Sequence, residues 1–130
     1  MKNITKEWIA FADKDLQAAQ VLINEDFPLT NIVVFHCQQC IEKYLKAFLV
    51  ENDVPIIKTH DLVKLSGMVS KIKQLEIDDE KLLIIDDVYV ETRYPAELGL
   101  MPDGTSTNKQ AKEFIEYAKE IKELITNELK

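Results

Sequence analysis

The run from Asn31 to Val50 (Asn-Ile-Val-Val-Phe-His-Cys-Gln-Gln-Cys-Ile-Glu-Lys-Tyr-Leu-Lys-Ala-Phe-Leu-Val) constrains this chain more than any other stretch. It reads as one long helix, apolar around most of its circumference until Glu42, Lys43 and Lys46. A helix that is hydrophobic nearly all round is enclosed by other helices, so this one is the predicted centre of a bundle. Beside its apolar stripe it also carries His36, Gln38, Gln39 and Lys43, which a purely structural helix does not need.

The flanking segments supply the enclosing helices. Ile4, Trp8, Ala12, Leu16, Ala19 and Ile23 recur at helical spacing over residues 4–25, with Thr5 or Asn3 placed to cap the start. Asp15 lies near that stripe, where an unpaired carboxylate is costly. It therefore requires a partner: a lysine, Arg93 or a helix end. Asp26-Phe27-Pro28 breaks the chain, and the central helix then runs from about Leu29 to Asn52, roughly 36 Å at 1.5 Å per residue. Ile32, His36, Gln39, Lys43 and Lys46 fall on one edge of it, beside a core face of Val33, Cys37, Cys40, Ile41, Tyr44 and Phe48. Such a polar ridge is a ligand wall, a subunit contact or an ordinary boundary.

Pro55 marks the next connector as non-helical. Thr59-His60-Asp61-Leu62 opens a third helix reaching about Gln74, with Thr59 as N-cap and Asp61 in the first turn. Helix N-termini attract anions, so His60 is either a phosphate contact or simply part of the cap. A fourth helix spans about Asp79 to Thr92, with Leu82, Leu83, Ile85 or Asp86, and Tyr89 facing inward. Pro95 ends it at Arg93-Tyr94. Residues 96–106 form a loop suited to covering a ligand. Thr107 and Gln110 fit a capping box for a last helix that runs to about Leu129 and buries Ala111, Phe114, Ile115, Ala118, Ile121, Leu124 and Ile125. Leu82–Ile85 is the only place where a strand could hide.

The expected architecture is a single domain over residues 1–130: an all-α, up-and-down four-helix bundle with one additional short helix. Phe11, Phe27, Phe35 and Phe48 exceed what one small bundle needs to bury, which points to a homodimer. No run of apolar residues approaches the roughly 20 needed to span a bilayer, and the N-terminus lacks a signal-peptide pattern; the expected compartment is the cytoplasm, without a membrane partner.

Charge narrows the function. The net charge of −7 opposes broad binding to nucleic acid, which depends on neutralising many phosphates, but leaves room for a local basic pocket. Arg93 is the lone arginine among 16 basic residues; it is either a bidentate phosphate fork or a structural ion-pair partner. The chain's 3 glycines do not form a phosphate loop. His36 and Cys37 diverge by about 100° on a helix, which disfavours a shared metal, so no metal or cofactor is expected. Cys37 and Cys40 sit on the core face, where free thiols act as small apolar groups, and the pairs Asp78-Asp79 and Asp86-Asp87 read as solvated carboxylates.

Trp8, Ala12-Asp13-Lys14-Asp15-Leu16 and Ala19, then Phe35-His36-Cys37-Gln38-Gln39-Cys40-Ile41-Glu42-Lys43-Tyr44-Leu45-Lys46-Ala47, then Thr59-His60-Asp61-Leu62, then Tyr89 and Arg93-Tyr94-Pro95 together resemble the HEPN family. The resemblance implies a helical bundle, usually dimeric, that binds nucleotides and is often encoded beside a minimal nucleotidyltransferase, the two together resembling a toxin–antitoxin pair. It also implies, for many members, metal-independent ribonuclease activity from an Arg followed about four to six residues later by His. Here the only Arg is followed by Tyr-Pro-Ala-Glu-Leu-Gly, and no His occurs downstream.

The leading expectation is a noncatalytic module that binds a nucleotide or phosphate ligand. Arg93 would be the phosphate fork, Lys43 a charge, Gln39 and His36 hydrogen-bonding groups, Thr59 and His60 a helix-start contact, and Tyr94 a stacking platform. The alternatives are an RNA-cleaving toxin using Arg93 with His60 or His36, and a bundle that only binds protein.

Overall fold

The computed structural model describes residues 1–92 and 106–130. The described residues form helices α1 (Asn3–Ile23), α2 (Thr30–Glu51), α3 (Leu62–Ser70), α4 (Asp79–Thr92) and α5 (Asn108–Glu128), and no strand. The all-α bundle with one short helix is therefore the architecture observed, and Leu82–Ile85 is helical.

α2 is the hub, in contact with each of the other four helices. Residue pairings fix the directions. Thr5 meets Glu51 and Asp15 meets His36, so α1 runs antiparallel to α2. Tyr89 lies against Phe35 while Gln38 reaches His60 and Asp86 reaches Leu62, so α4 is also antiparallel to it. Asn31 holds Ser106, ahead of α5, and Asp13 meets both Tyr44 and Lys122; α5 thus rises alongside α2. The core contains Val33, Cys37, Cys40, Ile41, Tyr44 and Phe48 of α2, all buried, together with Leu16, Leu65, Leu82 and Ile121.

Several local expectations are corrected. α1 takes no side-chain cap from Asn3 or Thr5; its N-cap is Lys2. Thr5 is buried and donates its hydroxyl to Glu51 at 2.8 Å, and the same carboxylate accepts from the Lys2 backbone N–H at 2.9 Å. A glutamate at the end of α2 thus satisfies a donor that a cap would otherwise serve. α3 begins two residues later than expected and ends at Ser70, so Thr59 is not its cap. Asp61 is, accepting from the Lys64 N–H at 3.0 Å from its place directly before the first helical residue. Thr59 instead accepts from the Asp61 N–H at 3.2 Å.

Leu83 points outward and Val88 takes the inward place beside Leu82, Ile85 and Tyr89. In α5 the capping box between Thr107 and Gln110 is present. Its inner face is as expected except that Leu124 is only partly buried and Tyr117 joins it. Among the four phenylalanines singled out above, Phe48 is buried and Phe35 partly so, whereas Phe11 and Phe27 face outward. No helix among the described residues is long and apolar enough to cross a membrane.

Candidate functional site

The polar ridge of α2 begins exposed at Ile32, is half-buried through His36, Gln39 and Lys43, and closes at Lys46, which is buried. Its middle is organised by Asp15. Ala12, Leu16 and Ala19 turn α1 inward, and the same register carries the Asp15 carboxylate to the α2 surface. There Lys43 Nζ donates to Oδ2 at 2.6 Å, and His36 Nδ1 lies 2.9 Å from Oδ1. The partner required for Asp15 is therefore a lysine and an imidazole together.

A carboxylate can only accept, so Nδ1 of a neutral His36 carries the proton and Nε2 is left as an acceptor. The His36 side chain is 26% exposed and that of Lys43 23%, enough for an outside group to reach both. Phe35 packs edge-on against the imidazole with ring centroids 5.2 Å apart, and Phe35 in turn meets Tyr89 of α4 at 6.1 Å. About two turns further along α2, the Tyr44 hydroxyl donates to Asp13, which also pairs with Lys122 of α5 at 3.1 Å. Burial, and then this hydrogen bond, push the Tyr44 phenol well above its ordinary range, so it stays a neutral donor.

His60 belongs to a second group, while the hydroxyl of the neighbouring Thr59 accepts from the Asp61 N–H. His60 Nδ1 lies 2.7 Å from Glu42 Oε1, and Lys46 Nζ is 3.1 Å from Oε2 of the same residue. Glu42 and Lys46 are both buried, and Lys46 lies over the Trp8 ring. The reading that polarity at Glu42, Lys43 and Lys46 ends the enclosed part of α2 is thus corrected: the connector and Trp8 cover it, and an i,i+4 pair neutralises it. Gln39 lies between the two groups, donating to Gln38 at 2.9 Å, while Gln38 donates to the His60 carbonyl at 2.7 Å. The structure therefore brings His36 and Lys43 together on Asp15 and joins His60 to Glu42, with Gln38 bonded to the His60 backbone and Gln39 to Gln38.

Arg93 and Tyr94 lie outside the described residues. The segments on either side of residues 93–105 both attach to the beginning of α2: Tyr89 against Phe35, and Ser106 through its N–H and hydroxyl to Asn31, at 2.8 and 2.9 Å. Thr30 completes the second attachment by donating to the Ser106 carbonyl. His36 stands next to Phe35 and little more than one turn from Asn31.

Asp86 was legible only as an ambiguous inward position. It accepts from the Leu62 N–H at 2.8 Å, and its other oxygen is buried without a hydrogen-bond partner among the described residues. Desolvation pushes this carboxyl up to about 6. Burial also pushes the Cys37 thiol up to about 12 and Cys40 higher still, which keeps both from acting as nucleophiles. No group of three His, Cys, Asp or Glu side chains suited to a metal occurs among the described residues. A groove of about 420 Å³ between α4 and α5, with Ile84, Phe114 and Tyr117 in its walls, was not foreseen and shares no residue with the ridge.

Comparison with known proteins gives a consistent picture. The family model for the HEPN domain matches residues 5–129. The chain is similar to the putative toxin MJ1304 of Methanocaldococcus jannaschii, with 32% identity over 140 residues covering 96% of this chain and 88% of that protein. Among solved structures, TT1696 from Thermus thermophilus superposes with a TM-score of 0.80 at 20% identity, covering 97% of this chain and 98% of the other. ST0689, an archaeal HEPN homologue, superposes with a TM-score of 0.72 at 22% identity, covering all of both chains.

Proposed function

Because the chain belongs to the HEPN domain family, we propose that it is the toxin-type member of a two-protein pair, a module that binds a nucleotide or other phosphate-bearing ligand and works with a minimal nucleotidyltransferase. The observation that carries the binding half of this reading is the Asp15 carboxylate, which holds Lys43 and His36 side by side at the partly exposed edge of α2. A lysine and an imidazole fixed in one place form a preorganised site for phosphate once the imidazole is protonated and its Nε2 becomes a donor. Gln39, between them in sequence and on the same edge, offers an amide to a base or sugar. Arg93, Tyr94, Thr59 and His60 remain proposed contributors around this centre. The relative's description as a putative toxin supports the toxin-type half.

A second copy of the chain is proposed to cover exposed apolar side chains, among them Phe11, Phe27 and, on α4, Leu83, Ile84 and Val90, each more than half exposed. Calorimetric titration with AMP and with inorganic phosphate tests the ligand reading. Binding that Lys43→Ala weakens at least tenfold, with the melting temperature lowered only slightly, supports it; binding that the substitution leaves unchanged contradicts it.

One observation favours a second reading, a ribonuclease. A partly exposed imidazole oriented by a carboxylate through Nδ1 is an arrangement used for acid–base catalysis, and His36 has it. Expression in cells separates the two. Growth arrest with RNA cleavage that is lost in His36→Gln favours the nuclease; arrest without cleavage, or no arrest, favours the binding module.

A further inference from the structure

We propose that the α2 ridge takes up one proton when it binds a nucleotide phosphate, and that His36 is the group protonated. The inference rests on the reading of this ridge as the ligand site and specifies how that site is regulated. It follows from counting charge around Asp15.

The carboxylate contributes one negative charge and Lys43, at 2.6 Å, one positive charge. With His36 neutral the trio therefore carries no net charge, in a protein whose total is −7, and it has no electrostatic reason to collect an anion. With His36 protonated the trio becomes cationic at the position where the imidazole reaches the surface. Nδ1 keeps its bond to Asp15 in either state. Nε2 has no hydrogen-bond partner among the described residues, and it changes from acceptor to donor on protonation, as a phosphate oxygen requires. The proton and the ligand thus favour each other's binding at one atom.

The surrounding groups leave this assignment to His36. Asp15 faces it from α1. From α2 itself come Lys43 and the Cys37 thiol, and burial keeps that thiol neutral. Asp13, the next carboxylate along α1, is engaged by Tyr44 and by Lys122 of α5. From α4 the Tyr89 ring is reached only through Phe35. His60, the other histidine, pairs with Glu42 and Lys46 in a separate group that shares no residue with the Asp15 trio.

A deoxyadenosine dinucleotide is the probe, because its phosphodiester holds a single charge throughout the working range, whereas AMP itself loses a proton near pH 6. Binding is measured by calorimetry on the full chain from about pH 5.5 to about pH 8.5, in buffers of different ionisation enthalpy. The expected affinity falls about tenfold per pH unit above the histidine midpoint, with uptake approaching one proton. His36→Gln should bind at its own constant affinity across the range, and Asp15→Asn, which leaves the Lys43 charge uncancelled, should lose less affinity than the wild type between low and high pH. Binding by the wild type that is flat with pH and without proton uptake overturns the proposal while leaving the ligand reading intact. Failure of both the dinucleotide and AMP to bind the folded protein at any pH overturns both. Should either variant fail to fold, the wild-type proton count still decides.

Discussion

Asp15 on α1 and Lys43 on α2 meet at 2.6 Å, and the carboxylate that makes this contact also holds His36 at 2.9 Å. One side chain therefore fixes the register of α1 on α2 and shapes the surface to which a ligand would bind. Asp15→Ala should leave two donors without their acceptor in a half-buried seam, lowering unfolding free energy by about 2 kcal/mol. Urea denaturation should show this as a lower midpoint with an unchanged slope. A loss below about 0.5 kcal/mol would mean that water replaces the carboxylate freely.

Asp86 gives the protein a pH dependence of opposite sign to that of an ordinary paired carboxylate. Its carboxyl is raised to about 6, chiefly by desolvation, above the roughly 4 it has in an unfolded chain. The folded state therefore binds the proton more tightly, and this contribution to stability is full below about pH 4 and is lost as pH rises through 6. Partial exposure reduces the effect to about 1 kcal/mol. Asp86→Asn removes the proton, so the stability of the variant relative to wild type should rise by that amount between pH 4 and pH 7. A difference that stays constant with pH contradicts the assignment.

Cys37 and Cys40 should be inert in the native protein. Both are fully buried with thiols pushed up by desolvation, so a disulfide reagent at about pH 8 should modify neither until the bundle opens, and both at once in urea. Rapid modification of one thiol in buffer would show that the core face of α2 is accessible.

The bundle was legible in the sequence because its signals are local and periodic. The stripes of α1 and α5 repeat at helical spacing, and the Thr107–Gln110 capping box is contained in four residues. Asp15 was legible as a residue in need of a partner, since its position beside the stripe follows from periodicity alone. What the sequence concealed depends on segments that fold back. Glu42 and Lys46 look like the polar end of a helix, yet the connector brings His60 over them and α1 brings Trp8. Thr59 has the composition of a cap, but the helix starts at Leu62 and Asp61 takes that role. Asp61→Ala should accordingly cost about 1 kcal/mol of stability and Thr59→Ala clearly less, as thermal melts would show; the reverse order would restore Thr59 as the cap. The candidate site shares this limit: the ridge was readable on one helix, while its division between Asp15 and Glu42 comes from tertiary pairing.

The chain has 2 histidines, and they stand in the two separate groups, which makes the central claim directly observable. Nuclear magnetic resonance of the imidazole protons during titration with AMP follows both at once. The account predicts that His36 resonances move to a saturable endpoint with ligand, that His60 moves less, and that Lys43→Ala shifts the His36 curve to higher ligand concentration. Saturable binding of AMP with His36 unmoved would contradict it.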